Sequence, residues 1–296
     1  MRGRRVASAM GVAALAALGV LAAVPLLYVI VDIYVKGLPV VLSGGLKFLF
    51  GLPPTPLGDS GGIGPFLVGT LYMTALGALL GFAMGFPIGV YAGFYARERL
   101  ASASRAFTNV LVEFPTIAVG LFVYMLFSYS VSDLNKLLAP LAAAPWPLSQ
   151  FVGQLQVFNA YSGAFALALV MTPYVAAYTA SAYASIEREL KEAAFSVGGS
   201  EANAVLIVLR KAVSRAVLAA ALIGTAKIAG ETAPLLFTAF GNTFYAPFTG
   251  PTGAVSLWIY AAAQQPFQNV RDSAYGAAAV LLTIVLALFI LARTRR

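Results

Sequence analysis

Six long apolar runs, nearly free of charged side chains, constrain the fold of this chain more than any other feature of its sequence. Each is about as long as, or longer than, the roughly 20 residues that a helix needs to cross the hydrocarbon core of a bilayer. Backbone groups in lipid must be hydrogen-bonded within their own segment, so each run is predicted to be a helix. The sequence therefore predicts an all-α, polytopic membrane protein with spans near residues 6–31, 65–96, 106–131, 157–186, 213–240 and 274–292.

Composition agrees with burial in lipid and excludes several kinds of chemistry. Hydrophobic residues make up 60% of the 296 residues and charged residues only 10%, whereas soluble domains carry roughly 25% charged residues. The chain has no Cys and no His, which excludes disulfides, thiol nucleophiles, zinc sites built on those ligands and imidazole catalysis. It also has no GxxxxGKS/T loop and no GxGxxG motif to hold a nucleotide. We therefore expect a chain without catalysis, cofactor or metal of its own.

The basic residues predict the orientation of the chain in a cell membrane. With six spans, Lys36, Lys47, Lys136 and Arg271 fall on one side, Lys227 falls within a span, and the remaining Lys and Arg residues all fall on the other side. Basic residues concentrate in cytoplasmic loops, so both termini are predicted to be cytoplasmic. The net charge of +8 is then a topology signal, and no nucleic-acid partner is expected.

The same pattern divides the chain into three parts. Residues 1–35 are predicted to form an N-terminal transmembrane anchor, residues 36–64 an outer loop rich in Pro and Gly, and residues 65–296 a core with a charged cytoplasmic loop at 187–211. A secretory signal has an apolar stretch of only 7–15 residues. The first run is about twice that length, which favours a retained anchor over the alternative, a cleaved signal.

Glycines recur every four residues along the second predicted span. This period places small residues near one face of a helix and lets another backbone approach closely. We expect a helix-packing face, static rather than sliding, formed by Gly77, Gly81, Gly85, Gly89 and Gly93.

Three charged residues lie well inside predicted spans, away from their ends. Lys227 and Glu231 stand four residues apart in the fifth span, as neighbours on one helical face. Because a charge near the bilayer centre costs about 2.5–3.5 kcal/mol, they form either a self-neutralising structural pair or a polar point on a solute pathway. In the second case Lys227 suits an anion and Thr232 adds a hydroxyl. Glu113, in the third span, is expected to snorkel or to pair with a cation such as Arg105; a role in gating is the alternative.

The charged cytoplasmic loop contains Glu192, Ala193 and Ala194 in a row, with Gly198 six residues after Glu192. Taken alone, this is the pattern of an amphipathic surface helix. Its position between two spans resembles the EAA loop of ABC-importer permeases, a short coupling helix that docks on a separate ATPase subunit. The resemblance implies that these four residues contact that ATPase.

Longer segments narrow the resemblance. Residues 228–239, IAGETAPLLFTA, closely resemble the A-type permease of phosphate importers, the PstA family, and residues 115–124, PTIAVGLFVY, are similar to it as well. The similarity extends from about residue 50 to the end of the chain. Two positions depart from the family pattern: members often have Arg where Lys227 stands, and usually a small or uncharged residue where Glu113 stands.

This resemblance implies a type I ABC-importer permease that forms half of a phosphate pathway across the lipid of the cell membrane. The implied partners are a C-type permease subunit, two ATPase subunits that hold ATP and Mg²⁺, and an extracytoplasmic phosphate-binding protein. Lys227, Glu231 and Thr232 would line the path of inorganic phosphate. A permease for sulfate or molybdate is the nearest alternative. A self-sufficient secondary transporter, with Lys227 and Glu231 as a proton-coupled pair, and a structural membrane protein without solute flux are the others.

Overall fold

Helices make up most of the part of the chain that this computed structural model describes, residues 2–58, 60–141, 145–196 and 203–294. Six of them are long and apolar enough to cross a membrane, which confirms the predicted fold class. In chain order the helices are α1 (Arg2–Phe50), α2 (Gly64–Phe94), α3 (Arg99–Val112), α4 (Thr116–Leu138), α5 (Ala160–Ala184), α6 (Arg188–Ser196), α7 (Arg210–Ala229), α8 (Ala233–Thr238), α9 (Val255–Ala263) and α10 (Gln268–Thr294). The spanning helices are α1, α2, α4, α5, α7 and α10, and a π-helical turn at Ala204–Leu209 precedes α7.

The core of the fold is the close packing of α2 against α5. Gly77 lies against Ala164 and Gly81 against Ala168 at the same sequence offset, so the two helices run parallel. A Cβ atom added at either glycine would lie 3.0 Å from the facing backbone oxygen, closer than side chains normally allow. The same face of α2 continues toward the C-terminal end of the helix and meets α5 at three further glycines, Gly85, Gly89 and Gly93.

Helix α1 continues to Phe50, so the outer loop begins at Gly51 and not at residue 36. The helix changes direction at Gly45, whose φ of 51° lies in the left-handed region that glycine adopts without a steric penalty. Beyond this kink, Phe48 is 2% exposed and packs against Gly276 of α10. Residues 36–50, predicted as the first part of the outer loop, are thus helical, and their last turn packs on α10.

Two predicted spans are each broken into two helices. The third, expected as one helix over 106–131, divides at Glu113 into α3 and α4, because Pro115 lacks a backbone N–H and disfavours helical conformation in the residue before it. The fifth, expected over 213–240, ends at Ala229 and resumes in α8, which has Pro234 in its first turn. Both breaks lie inside apolar stretches.

Short helix α9 lies between α2 and α10. The ring of Trp258 stacks on Phe66 of α2 with centroids 4.7 Å apart, and its Nε1 donates a hydrogen bond of 3.0 Å to Oγ of Ser273 in α10. The backbone N–H of Val255, the first residue of α9, donates to Oγ1 of Thr70 at 2.8 Å. These bonds satisfy buried polar groups that would otherwise oppose burial of α9.

Candidate translocation and coupling sites

The break between α7 and α8 holds the ion pair that the sequence singled out. Lys227 lies in the last turn of α7, and its Nζ is 2.6 Å from Oε1 of Glu231. The sequence placed both residues on one helical face, but α7 ends at Ala229, so the pair spans the helix end. The side chain of Glu231 is 9% exposed and that of Lys227 is 43% exposed. The carboxylate is therefore enclosed, while the ammonium keeps an open side.

Residues from two other helices surround this pair. Oγ of Ser256, in α9, donates a hydrogen bond of 2.8 Å to the backbone oxygen of Glu231. Tyr174, in α5, lies close enough to Lys227 to interact with it electrostatically. The hydroxyl of Tyr174 also donates to the backbone oxygen of Val112, the last residue of α3, at 3.4 Å. Tyr174 thus lies between the surroundings of the pair and the break in the third span.

Packing of α4 on α8 brings the two breaks together. A Cβ atom added at Gly120, in α4, would lie 2.6 Å from Cα of Pro234, in α8. Thr232 precedes α8 as its N-cap residue and is half-buried, but its side chain makes no capping hydrogen bond. The structure thus brings the three predicted pathway residues to one break, with Thr232 beside the ion pair.

Glu113 ends α3 with its side chain exposed. The expected partner, Arg105, is engaged elsewhere: its guanidinium donates to the backbone oxygen of Ala92 at 2.5 Å and to that of Ala96 at 2.7 Å. Arg105 therefore caps the C-terminal carbonyl groups of α2, where a cation is also favoured by the helix dipole. The pairing of Glu113 with Arg105 that the sequence suggested is wrong.

Helix α6 carries most of the predicted coupling segment. Glu192 and Ala193 are exposed, whereas Ala194 is buried in an apolar cluster that includes Leu209 at the end of the π-helical turn. Gly198, the fourth residue of the predicted segment, lies outside the described residues. One face of α6 is thus fixed to the bundle and the other is open.

The same helix contacts the C-terminal end of α2. Nζ of Lys191 lies 5.6 Å from the ring centroid of Phe94, and the rings of Phe195 and Phe94 have centroids 6.2 Å apart. Phe94 follows Gly93, the last glycine of the face that packs on α5. Helix α6 therefore lies against the end of the most closely packed helix pair.

At the opposite end, the Pro/Gly-rich loop is bonded to the rest of the outer surface. Nδ2 of Asn269 donates to the backbone oxygens of Thr55 and Gly58 at 2.9 and 2.8 Å. The hydroxyl of Tyr245 donates to the backbone oxygen of Phe50 at 2.5 Å, and burial raises the pKa of that hydroxyl, which keeps it protonated. A mainly apolar groove of about 420 Å³ separates this loop from Trp258 of α9.

Comparisons with known proteins agree on one family. Residues 85–295 match the family described as binding-protein-dependent transport system inner membrane component. The probable phosphate transport system permease protein PstA of Methanocaldococcus jannaschii is 37% identical over 276 residues, which cover 93% of this chain and 88% of that protein. The phosphate transport system permease protein PstA of Pasteurella multocida is 29% identical over 270 residues, covering 90% and 86%. The chain belongs to the PstA family.

A solved structure shares the fold of this PstA-family chain. The inward-facing MetNI methionine ABC transporter superposes with a TM-score of 0.53 over 78% of this chain and 94% of that chain, at 17% identity. The fold is therefore that of a type I ABC-importer permease, and the chain is a multi-pass membrane protein.

Some residues of the site were not evident from the PstA-family sequence. Pro115 and Pro234 were the available signals for the two helix breaks, but each lies in an apolar run long enough to be taken for one span. Ser256 had no such signal, because it lies 25 residues from Glu231 and reaches it only through the position of α9. Tyr174 was likewise hidden in the middle of α5.

Proposed function

We propose that this chain is the A-type permease subunit of an ATP-driven phosphate importer and forms half of its translocation pathway. The observation that carries the proposal is Lys227, an ammonium that keeps an open side at a helix break while its counter-ion is enclosed. The PstA-family relatives are named as phosphate transport permeases. A cation of this kind suits an anionic solute that must be held briefly inside a membrane.

The geometry of the pair favours weak, reversible binding of an oxyanion. An ammonium group has three N–H donors, and Glu231 accepts from Lys227 at 2.6 Å, which leaves donors for phosphate oxygens. Because Glu231 offsets the charge, the empty site costs less in a membrane than a lone cation would. A passing phosphate competes with Glu231 for the ammonium, and such competition limits affinity and permits release. Thr232, beside the pair, is the third pathway residue of the proposal.

Energy would reach this pathway through α6. An ATPase subunit that holds ATP and Mg²⁺ would contact the exposed Glu192 and Ala193, together with Gly198, while the buried Ala194 fixes α6 to the bundle. A second ATPase would serve the C-type permease that completes the pathway. This chain then has no catalysis and no cofactor of its own. Contacts of α6 with Phe94 give its motion a direct route to α2.

The outer face would receive an extracytoplasmic phosphate-binding protein. Thr55 and Gly58 of the outer loop are bonded to Asn269 of α10, and Phe50 at the end of α1 is bonded to Tyr245. These contacts lie beside the groove next to α9, where the binding protein would dock. In this arrangement the chain lies in the cell membrane with both termini in the cytoplasm, as its basic residues indicate.

The pathway role of Lys227 is tested by uptake of radiolabelled phosphate into vesicles that contain the complete transporter and the binding protein. We expect Lys227→Ala to reduce uptake at least a hundredfold without loss of assembly, since the only charge offered to the anion is removed. Lys227→Arg, which restores the family's common residue, should keep substantial uptake. If Lys227→Ala keeps near wild-type uptake, Lys227 and Glu231 form a structural ion pair and do not act in the pathway.

A matched control is Lys136→Ala. Lys136 also forms an ion pair with a nearby carboxylate, Nζ of Lys136 lying 2.7 Å from Oδ1 of Asp133, but both side chains are largely exposed at the outer end of α4. Exposed pairs contribute only about 0–1 kcal/mol, so uptake by Lys136→Ala should match that of the unaltered transporter. An equal loss in both variants would indicate general damage.

The coupling role is tested by the ratio of phosphate transported to ATP hydrolysed. Glu192→Arg should abolish coupled uptake, because it reverses the charge on the exposed face of α6. Gly198→Trp should have a similar effect, because its large side chain would disturb the contact with the ATPase. Glu192 also accepts a hydrogen bond of 2.7 Å from Nε of Arg188, so Arg188→Gln is the control that breaks this bond alone. If Arg188→Gln lowers coupling as much as Glu192→Arg, the bond within α6 explains the result and contact with an ATPase does not.

The same vesicles separate the alternatives. Sulfate or molybdate uptake that outcompetes phosphate would reassign the substrate, since a lysine alone distinguishes tetrahedral anions poorly. Uptake by this chain alone, driven by an ion gradient without ATP, would favour the secondary transporter. Absence of flux for every anion, with all partners present, would favour a structural protein.

A further inference from the structure

Glu113 is an acidic residue that the proposed pathway does not use. It lies at the C-terminal end of α3 and is exposed. Within the described part of the chain, the ion pairs involve Asp32, Asp133, Glu192 and Glu231, and not Glu113. The carboxylate therefore lacks a counter-ion on the part of its own chain that the structure describes.

The surface around Glu113 is apolar. Val110 in the last turn of α3 and Ile117 in the first turn of α4 are exposed, and so is the adjacent Phe114. The exposed face continues along α4 with Leu121 and with other apolar side chains, Phe122, Met125 and Leu126. A carboxylate thus stands within a face that otherwise suits lipid or another apolar helix.

Glu113 also lies at membrane depth. The adjacent residue, Val112, accepts a hydrogen bond from Tyr174, which is near the middle of the spanning helix α5. A charged side chain at such depth costs about 2.5–3.5 kcal/mol on insertion scales, and such residues face a bundle interior or a water-filled cavity, or pair with another charge. Contact with lipid alone is therefore the least favourable arrangement for this face.

Two cations in the described part of the chain, Arg105 and Lys227, have partners other than Glu113. Arg105, two turns earlier in α3, donates to the backbone oxygens of Ala92 and Ala96. Lys227 lies 2.6 Å from Glu231. The ion pairs of the described residues thus give Glu113 no counter-ion. A neighbouring chain can provide one, and in the proposed function that chain is the second permease of the pathway.

We propose that the face of α3 and α4 around Glu113 packs against the C-type permease, which presents a lysine or arginine to Glu113. This inference rests on the proposed function for the existence of that partner. The ion pair would be a specific contact between the two permeases. It would match this chain to its own partner, because another permease would leave Glu113 buried without a counter-ion.

The test is retention of the second permease when the complete transporter is purified through a tag on this chain. Glu113→Gln should reduce the retained partner about tenfold, which corresponds to about 1.4 kcal/mol of lost association free energy, and Glu113→Asp should reduce it less. Asp133→Asn, at the exposed outer end of α4, is the matched control and should retain the partner fully. Glu113→Lys should prevent assembly, and a Lys→Glu or Arg→Glu change in a spanning helix of the partner should restore it.

Three results would overturn the inference. The first is that Glu113→Gln retains the partner fully, and the second is that no charge reversal in the partner rescues Glu113→Lys. The third is rapid labelling of Glu113→Cys by a membrane-impermeant maleimide in the assembled complex. The last would place position 113 in a water-filled cavity, and it is easily read because the chain has no other Cys. If the unaltered chain retains no second permease at all, the proposed function itself fails.

Discussion

At the scale of single residues, Tyr183 is unusual because its hydroxyl is buried without a hydrogen-bond partner. Its side chain has no exposed surface and packs among apolar residues that include Ala194 of α6 and Leu209. In the described part of the chain only Ser128 and Thr179 share this property. An unpaired buried hydroxyl is destabilising by about 1–3 kcal/mol relative to an apolar group of the same shape.

We therefore expect Tyr183→Phe to raise the free energy of unfolding by about 1–3 kcal/mol, because it removes the unpaired hydroxyl and keeps the ring. Thermal unfolding of the purified protein in detergent measures the change as a higher Tm. Tyr245→Phe is the control, since the hydroxyl of Tyr245 donates to the backbone oxygen of Phe50 and its loss should lower Tm. A lower Tm for both variants would mean that Tyr183 has a hydrogen-bond partner in the membrane protein.

At the scale of elements, the glycine face of α2 allows two parallel helices to approach at backbone distance. A Cβ atom added at Gly85 would lie 2.6 Å from the backbone oxygen of Thr172 and 2.9 Å from Cβ of Val175. No flexible side-chain end is available there to move aside. The backbone of α5 would have to shift along much of the pair, because the contact repeats every turn.

Gly85→Ala should accordingly lower the free energy of unfolding by about 1–3 kcal/mol, the usual cost of overpacking. The helix propensity of Ala, about 1 kcal/mol better than that of Gly, offsets part of this loss. Gly19→Ala in α1 is the matched control, because no atom lies within 4 Å of the added Cβ; it should be neutral or slightly stabilising. Equal Tm values for the two variants would contradict the close packing of α2 on α5.

The elements also show what the sequence could and could not predict. Apolar length gave the six spans, and the four-residue glycine period gave the face of α2 that meets α5. The break at Glu113 was missed although Pro115 signals it, because the apolar run around Pro115 is long enough for one span. Helix α1 was expected to end before residue 36, but packing of Phe48 against α10 extends it to Phe50. Hydropathy indicates whether a segment lies in lipid or in water, but not where its helices begin, bend or end.

The candidate site, like the fold, could be predicted only in part from the sequence. Lys227 and Glu231 could be found because charges are rare inside apolar runs. The unequal exposure of Lys227 and Glu231 could not be predicted from the sequence, because it depends on α9. Ser256 of α9 lies 25 residues from Glu231 and bonds to its backbone. Contacts between distant segments of this kind leave no periodic signal in a single sequence.

At the scale of the whole molecule, the features of the proposed transport cycle lie in order along the length of α2. The groove beside the outer loop is at one end, the Lys227–Glu231 pair is at the helix break between the ends, and α6 is at the other end. Import requires that the end carrying α6 face the cytoplasm, where ATP is available. The distribution of basic residues favours this orientation.

Orientation can be measured directly because the chain has no Cys. Ser60, in the outer loop, and Ser196, at the end of α6, are both exposed, so Ser60→Cys and Ser196→Cys report on opposite faces. With the chain expressed in intact cells without its ATPase, a membrane-impermeant maleimide should label Ser60→Cys at once and Ser196→Cys only after permeabilisation. The reverse pattern would place α6 outside, beyond the reach of a cytoplasmic ATPase. ATP-driven import through α6 would then be physically impossible, whatever anion Lys227 binds.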